Sequence, residues 1–162
     1  MAPSRSIRRP LRRFAQVGNR RRALVLEAVL CLLAARLGLI FIPFPALARR
    51  LGTFVPPNDP RAMATRAGKS LEHARVATEV GWAVTRSARY VPFKAVCLPQ
   101  AMAARMMLKR RGVASVMHFG AAKNTTLGGE KPLDAHAWLD AAGVEVTGYP
   151  VAEKFAEIAC FV

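Results

Sequence analysis

The sequence predicts an α+β domain in which helices come first and a small antiparallel sheet follows. Before Gly112 the apolar residues recur at helical spacing, as in Leu71, Ala74, Val80, Ala83 and Val84. After Gly112 the period changes to two, over Ala114 to Ala122, Asp134 to Asp140 and Val144 to Gly148. Turn chemistry separates these runs: Ala141-Ala142-Gly143 joins the last two as a hairpin, and Lys123 to Pro132, with Asn124, Gly128 and Gly129, reads as a loop. Helices in one block and strands in the next is the α+β pattern. At 162 residues and 52% hydrophobic content, the chain is long enough for one domain with a real core.

Taken in order, residues 1–22 read as a basic arm, with a short helix around Leu11 to Val17. Residues 23–162 form the single domain, helical over about 23–112 and sheet over about 113–150. The first long helix covers about Arg21 to Phe41. Pro43-Phe44-Pro45 breaks it, and Ala46 to Leu51 makes a short helical turn. Phe54 to Arg61, with Pro56, Pro57 and Pro60, is a loop that ends in Asp59-Pro60, an acidic cap followed by proline at the first helical position. Arg61 to Tyr90 is helix-rich, and Pro92 with Phe93 to Val96 ends it. The helix that begins at Cys97 tolerates Pro99 in its first turn and stops at Gly112. Pro150 to Val162 reads as a short helix or an extended segment. There are no internal repeats.

The net charge of +15 predicts attraction to something acidic. Eight arginines and no acid precede Glu27, so the arm is either a solvated tail or a binding arm for an acidic partner or membrane surface. Few aromatics interleave with the arginines, which argues against a single-strand stacking platform, and no specific nucleic-acid partner is expected. From Ala23 to Leu47 the chain is strongly apolar and approaches the roughly 20 residues of a membrane span. Arg36 in mid-span and the two prolines favour a buried or half-buried first helix, with peripheral or inserted membrane contact as the alternative. Three scattered cysteines, Cys31, Cys97 and Cys160, suit a reducing compartment, so the expected location is cytoplasmic, with membrane association left open.

Cys97 is the chemically informative residue. It follows a loop and opens a helix, whose N-terminus offers partial positive charge and unpaired N–H groups. A free thiol has a pKa near about 8.5, so such surroundings favour the reactive thiolate, and the same N–H groups can hold an oxyanion. Cys31 and Cys160 sit in apolar runs and read as small buried hydrophobes. Of the histidines, His73 lies among charged residues on a helix. His118 and His136 lie on the first and second strands, and His136, flanked by alanines with Trp138 two residues on, is favoured as the general base. No zinc-type ligand spacing occurs, so no metal is expected. Gly128-Gly129-Glu130-Lys131 lacks the pattern of a phosphate-binding loop.

A cysteine at a helix start with a histidine on a strand resembles papain-like and transglutaminase-like cysteine peptidases. Ala88-Arg89-Tyr90-Val91-Pro92-Phe93, Cys97-Leu98 and Ala135-His136-Ala137-Trp138 together resemble the lasso-peptide biosynthesis B proteins, in their C-terminal, transglutaminase-like leader-peptidase part. The resemblance spans about residues 8 to 150. It implies a cysteine protease that removes the leader peptide from a ribosomally made precursor. It also implies a separate leader-recognition protein as partner and an asparagine-synthetase-like cyclase acting downstream. Peptide-bond chemistry needs no cofactor, although ATP is associated with the family's maturation machinery, and no cofactor-binding residue is indicated.

One departure matters. The family triad is Cys, His and an acid, and the acid's position, twelve after His136, is Gly148 here. A turn at Ala141 to Gly143 is expected to place Gly148 opposite His136. Asp140 lies about 13 Å along the strand, Glu145 faces away, and Asp134 shares the His136 face at roughly 6–7 Å. The sequence therefore supports a Cys97–His136 dyad with the third member open, filled by Asp134, a backbone carbonyl or water. Trp82 is a further oxyanion-donor candidate, although tryptophan is more often plain core. The rival readings are another transglutaminase-like acyl transferase and a non-enzymatic, basic, membrane-associated adaptor.

Overall fold

No proline interrupts Asn19–Phe41, and the stretch forms one helix, α1. The structure, a computed structural model, describes residues 18–68, 70–123 and 133–162, so the basic arm's expected short helix and the Lys123 to Pro132 loop, past its first residue, lie outside the described residues. Pro43 caps α2, Phe44–Leu51, with Pro45 in its first turn. A two-residue strand, β1, Phe54–Val55, precedes α3, Pro60–Arg66. Asp59 caps α3 as its sequence predicts, its carboxylate accepting from the Arg61 N–H at 2.9 Å. Ser70 caps α4, Leu71–Ala88, by accepting from the His73 N–H at 3.3 Å. The expected helix-rich run over Arg61 to Tyr90 is thus two helices. They part at Gly68, which passes so close to the Ala142 turn that a Cβ there would meet Ala142 Cα at 2.9 Å.

α5, Cys97–Lys109, ends at Gly112, whose φ of 68° is the left-handed stop that glycine takes without strain. Three strands follow: β2, Val116–Lys123; β3, Leu133–Ala141; and β4, Val144–Thr147. A short 3₁₀ turn, Val151–Lys154, leads into β5, Ala156–Phe161. The strands form one antiparallel sheet in the order β1-β5-β2-β3-β4.

β5 corrects the expected boundary of the sheet. The sheet is not confined to about 113–150, because the C-terminal segment inserts between β1 and β2, pairing Phe161 with both Phe54 and Met117. Its sequence hides this role because Ala159, Cys160 and Phe161 are buried in succession, so no period of two appears.

The two faces of the sheet differ. Met117, Leu139, Ala141 and Phe161 belong to one core with residues of α1, α4 and α5. Val116 and Cys160 belong to a smaller core on the other face, with Val55 and Ala62 of α3. Within the helical layer α5 is buried on most sides, its Ala101, Ala103, Ala104, Met107 and Leu108 fully so. α1 packs on it through Ala28, Cys31, Leu32 and Ala35, which supports the half-buried first helix that the sequence favours. Glu27 of α1 closes the junction with a bidentate pair to Arg111, at 2.9 and 2.5 Å, and a 3.3 Å contact to Arg110.

Two predictions follow from this packing. Leu32 is fully buried and its neighbour Leu33 is 42% exposed. Leu32→Ala is expected to lower unfolding stability by about 2–5 kcal/mol, and Leu33→Ala by no more than about 0.5 kcal/mol, read from urea denaturation midpoints. The Arg111 hydrogen bond holds the Glu27 carboxyl below its ordinary value of 4.5. The pair's contribution is complete above that value and is lost as falling pH passes through the lower folded-state value. Stability measured from about pH 6 to about pH 3 should therefore fall less steeply in Glu27→Gln than in the unsubstituted protein.

Candidate active site

Cys97 is the first residue of α5 and is half-buried. Val96 at the N-cap carries no side-chain oxygen, and Pro99 brings no N–H, so the first-turn N–H groups of Cys97 and Leu98 have no capping side chain. Gln100 holds the entry loop in place, its Nε2 donating to the Ala95 carbonyl at 2.7 Å. The other two cysteines differ: Cys31 and Cys160 are buried, and burial pushes both thiols up. Cys160 also rests its Sγ 3.6 Å from the Val55 and Pro56 carbonyls.

His136 lies in β3, opposite Gly120 of β2. Its Nε2 is 2.8 Å from the Gly148 carbonyl oxygen. A carbonyl can only accept, so Nε2 carries the proton and Nδ1 is left as the basic nitrogen of the neutral ring. At Gly148, where the family pattern has an acid, the main-chain carbonyl is the group that meets the His136 ring. The expected hairpin register shifts by a bulge between Leu139 and Asp140, which leaves Gly148 beyond the last β3–β4 pair, Leu139 with Thr147. The chain is at φ 93° there, and a Cβ on Gly148 would meet the Trp138 Cβ at 2.5 Å. A side-chain carboxylate does not fit on this backbone.

The rings of this face form a row. Trp138 stacks between His118, at 5.4 Å between centroids, and His136, at 6.1 Å, and Phe155 lies 4.9 Å beyond His136. Gly120 makes room for the indole, since a Cβ there would meet it at 2.8 Å. His118 is fully buried. Its Nδ1 is 2.5 Å from Glu157, and its Nε2 lies 3.3 Å from an Asp140 oxygen without the alignment of a hydrogen bond. Arg66 reaches both carboxylates, at 3.2 Å from Asp140 and 3.7 Å from Glu157. Tyr149 donates to Asp140 at 2.7 Å, and burial with this carboxylate drives its hydroxyl far above the ordinary tyrosine range, so it stays a donor.

Asp140 thus serves His118 and not His136. Glu145 is exposed beside the turn, His73 is exposed on α4, and Trp82 carries Arg21 over its ring at 5.5 Å. No hydrogen bond joins the Cys97 Sγ to either strand histidine. β3 alternation puts His136 with Trp138 and Asp140, whereas α5 packs on the face of Leu139 and Ala141. Among the described residues, the grouping of metal-ligand type is His118, Glu157 and Cys160, with ligand atoms within 4.8 Å of one another. There the groups already satisfy each other, the thiol on main-chain carbonyls and the carboxylate on the imidazole and Arg66. Sequence reasoning missed this network because Arg66, His118, Asp140 and Glu157 are far apart in the chain.

The comparisons with known proteins agree with the architecture. No curated protein and no solved structure matches the chain. A family model described as "Transglutaminase-like superfamily" matches residues 38–160, which takes in Cys97, both strand histidines, β1 to β4 and all of β5 but Phe161. With helices leading to an antiparallel sheet and a cysteine opening the helix packed against it, this chain belongs to the transglutaminase-like superfamily.

Proposed function

We propose that the chain is a cysteine peptidase that removes the leader peptide from a ribosomally made lasso-peptide precursor, with Cys97 as nucleophile and His136 as general base. Membership of the superfamily supports cysteine-dependent acyl transfer. The 2.8 Å contact of His136 Nε2 with the Gly148 carbonyl is the observation that carries the residue roles, because it leaves Nδ1 free to act as base. The precursor, a separate leader-recognition protein and an asparagine-synthetase-like cyclase enter through the resemblance of the Cys97-Leu98 and Ala135-His136-Ala137-Trp138 stretches.

In this reading Nδ1 takes the Sγ proton and the thiolate attacks the scissile carbonyl. The first-turn N–H groups of α5 hold the oxyanion. The imidazolium, held by the Gly148 carbonyl, returns its proton to the departing core amine. Water then cleaves the thioester, giving the leader acid and the free thiol. Catalytic hydrogen bonds often close only with substrate bound. Because β3 alternation sets His136 on the face away from α5, this reading requires the His136 ring to reach the α5 side of the sheet in the loaded state. The peptide-bond step needs no cofactor. ATP belongs to this reading only through the maturation machinery, and no residue is assigned to it.

Cys97→Ala and His136→Gln are each expected to lower precursor cleavage by at least about a thousandfold with circular dichroism unchanged, as followed by mass spectrometry. His118→Gln should instead lower stability while the folded fraction still cleaves. Unchanged cleavage in Cys97→Ala would sink the enzyme reading, and products joined to an added amine would favour the acyl transferase. ¹⁵N spectra of neutral His136 are expected to show the Nε2–H tautomer, whereas the Nδ1–H form would remove Gly148 from the site. Gly148→Asp should reduce both stability and cleavage, because its Cβ meets Trp138 before the carboxylate can reach the ring.

A further inference from the structure

α1 is apolar on two sides, and one of them is open. Ala28, Cys31, Leu32 and Ala35 face the core. Leu26, Leu30, Leu33, Leu37 and Ile40 are exposed, spaced four, three, four and three residues apart, and Phe41 extends the row. This stripe runs about 21 Å along the helix, and the partly exposed Arg36, three residues after Leu33 and four before Ile40, flanks it. Phe44, also exposed, continues it into α2. Arg49 and Arg50 are exposed at the end of α2, whereas at the start of α1 Arg20 pairs with Glu79 at 3.0 Å and Arg21 lies over Trp82, both turned toward α4. In the sequence, Arg5, Arg8, Arg9, Arg12 and Arg13 lie further toward the N-terminus.

We propose that this stripe lies on an anionic lipid bilayer, with α1 parallel to the surface. An apolar row flanked by Arg36 and followed by Arg49 and Arg50 is the surface such a helix presents to acyl chains and anionic headgroups. The +15 net charge supplies the attraction. α1 has the length and hydropathy of a membrane span, yet it does not cross as one. Its other side is built into the core, with Ala28 and Leu32 fully buried, and Glu27 is held by Arg111, so a crossing would dismantle the fold. A second copy is disfavoured although the spacing is that of a coiled-coil seam. Two chains of +15 repel each other, and Glu27, the acid on α1, is already paired within its own chain.

The full chain tested by co-sedimentation should bind vesicles of equal parts phosphatidylcholine and phosphatidylglycerol at low salt, and bind pure phosphatidylcholine weakly. Leu30→Glu/Leu33→Glu/Leu37→Glu should lower the bound fraction by at least about tenfold. Arg49→Gln/Arg50→Gln should weaken binding by about fivefold for each charge. The altered leucines are exposed, so unchanged urea midpoints are expected. As a measurement free of charge reversal, Leu33→Trp fluorescence should be quenched by lipids brominated in the acyl chain. Equal binding of the triple variant would overturn the proposal, as the arginines alone would then suffice. Absence of binding would also overturn it. In that case a dimer in sedimentation equilibrium, dissolved by the triple variant, assigns the stripe to a second copy, and a monomer leaves it to a protein partner. None of these readouts depends on peptidase activity.

Discussion

The burial of α5 is the constraint on which the rest of the structure depends. Three of its alanines, Ala101, Ala103 and Ala104, have no exposed surface, and small side chains let α1, α4 and the sheet all approach one helix. A helix covered on most sides shows only a narrow polar strip, here Arg105 and Lys109, so its sequence has little helical polarity. Its ends are then fixed by polar contacts. Near the C-terminal end Arg105 donates to the Ser115 and Phe161 carbonyls, at 2.7 and 3.1 Å, and Arg111 grips Glu27. Burial alone pulls Arg105 below the ordinary arginine value, so the two carbonyls hold a guanidinium that has left water. The tip that carries Cys97 is thereby the end of a rigid rod, which suits a group whose function depends on position.

On the opposite face of the sheet a polar network lies beside the smaller apolar core of Val55, Ala62, Val116 and Cys160. His118 is wedged between Glu157 and Asp140, Arg66 spans the two carboxylates, and Tyr149 takes another Asp140 lone pair. Asp140 is buried and Glu157 largely so, and the exposed Arg66 reaches in to pair with both, so removing Arg66 leaves the two carboxylates uncompensated. The network clamps α3 against β2, β3 and β5, and the Gly143 N–H donating to the Arg66 carbonyl at 2.7 Å adds the β3–β4 turn. Through the stacked Trp138 it reaches His136, whose orientation therefore rests on packing from one side and on the Gly148 carbonyl from the other.

What was legible in the sequence was local. Asp59-Pro60 marked a helix start, Gly112 a helix end, and the change of period after it a sheet, because each is decided by neighbours in the chain. Cys97 at a helix start was legible for the same reason. The parts that escaped are set by distant residues. β5 lacked alternation because both its faces are covered at the end, and the division between α3 and α4 follows from a turn that arrives some seventy residues later. The His118 network joins residues from four elements, and no spacing could announce it. Gly148 was read as a missing acid because a sequence displays side chains and not carbonyls.

α1 shows the same limit from the other direction. Its composition could not separate a core helix from a membrane helix, because it is both apolar inside, at Leu32, and apolar outside, at Leu30, with exposures of 0% and 66%. The two faces cannot exchange roles, since the inner one is complementary to α5 and the outer one keeps Leu26, Leu30, Leu33, Leu37 and Ile40 exposed. A bilayer on the outer face would therefore be one helix diameter from the rod that ends in Cys97. α1 would set how that rod lies relative to the surface, and a substrate reaching the tip of α5 would do so at a fixed orientation to the membrane. In this fold the apolar excess of α1 and the position of Cys97 are consequences of the same packing, because both depend on the helix that α1 covers.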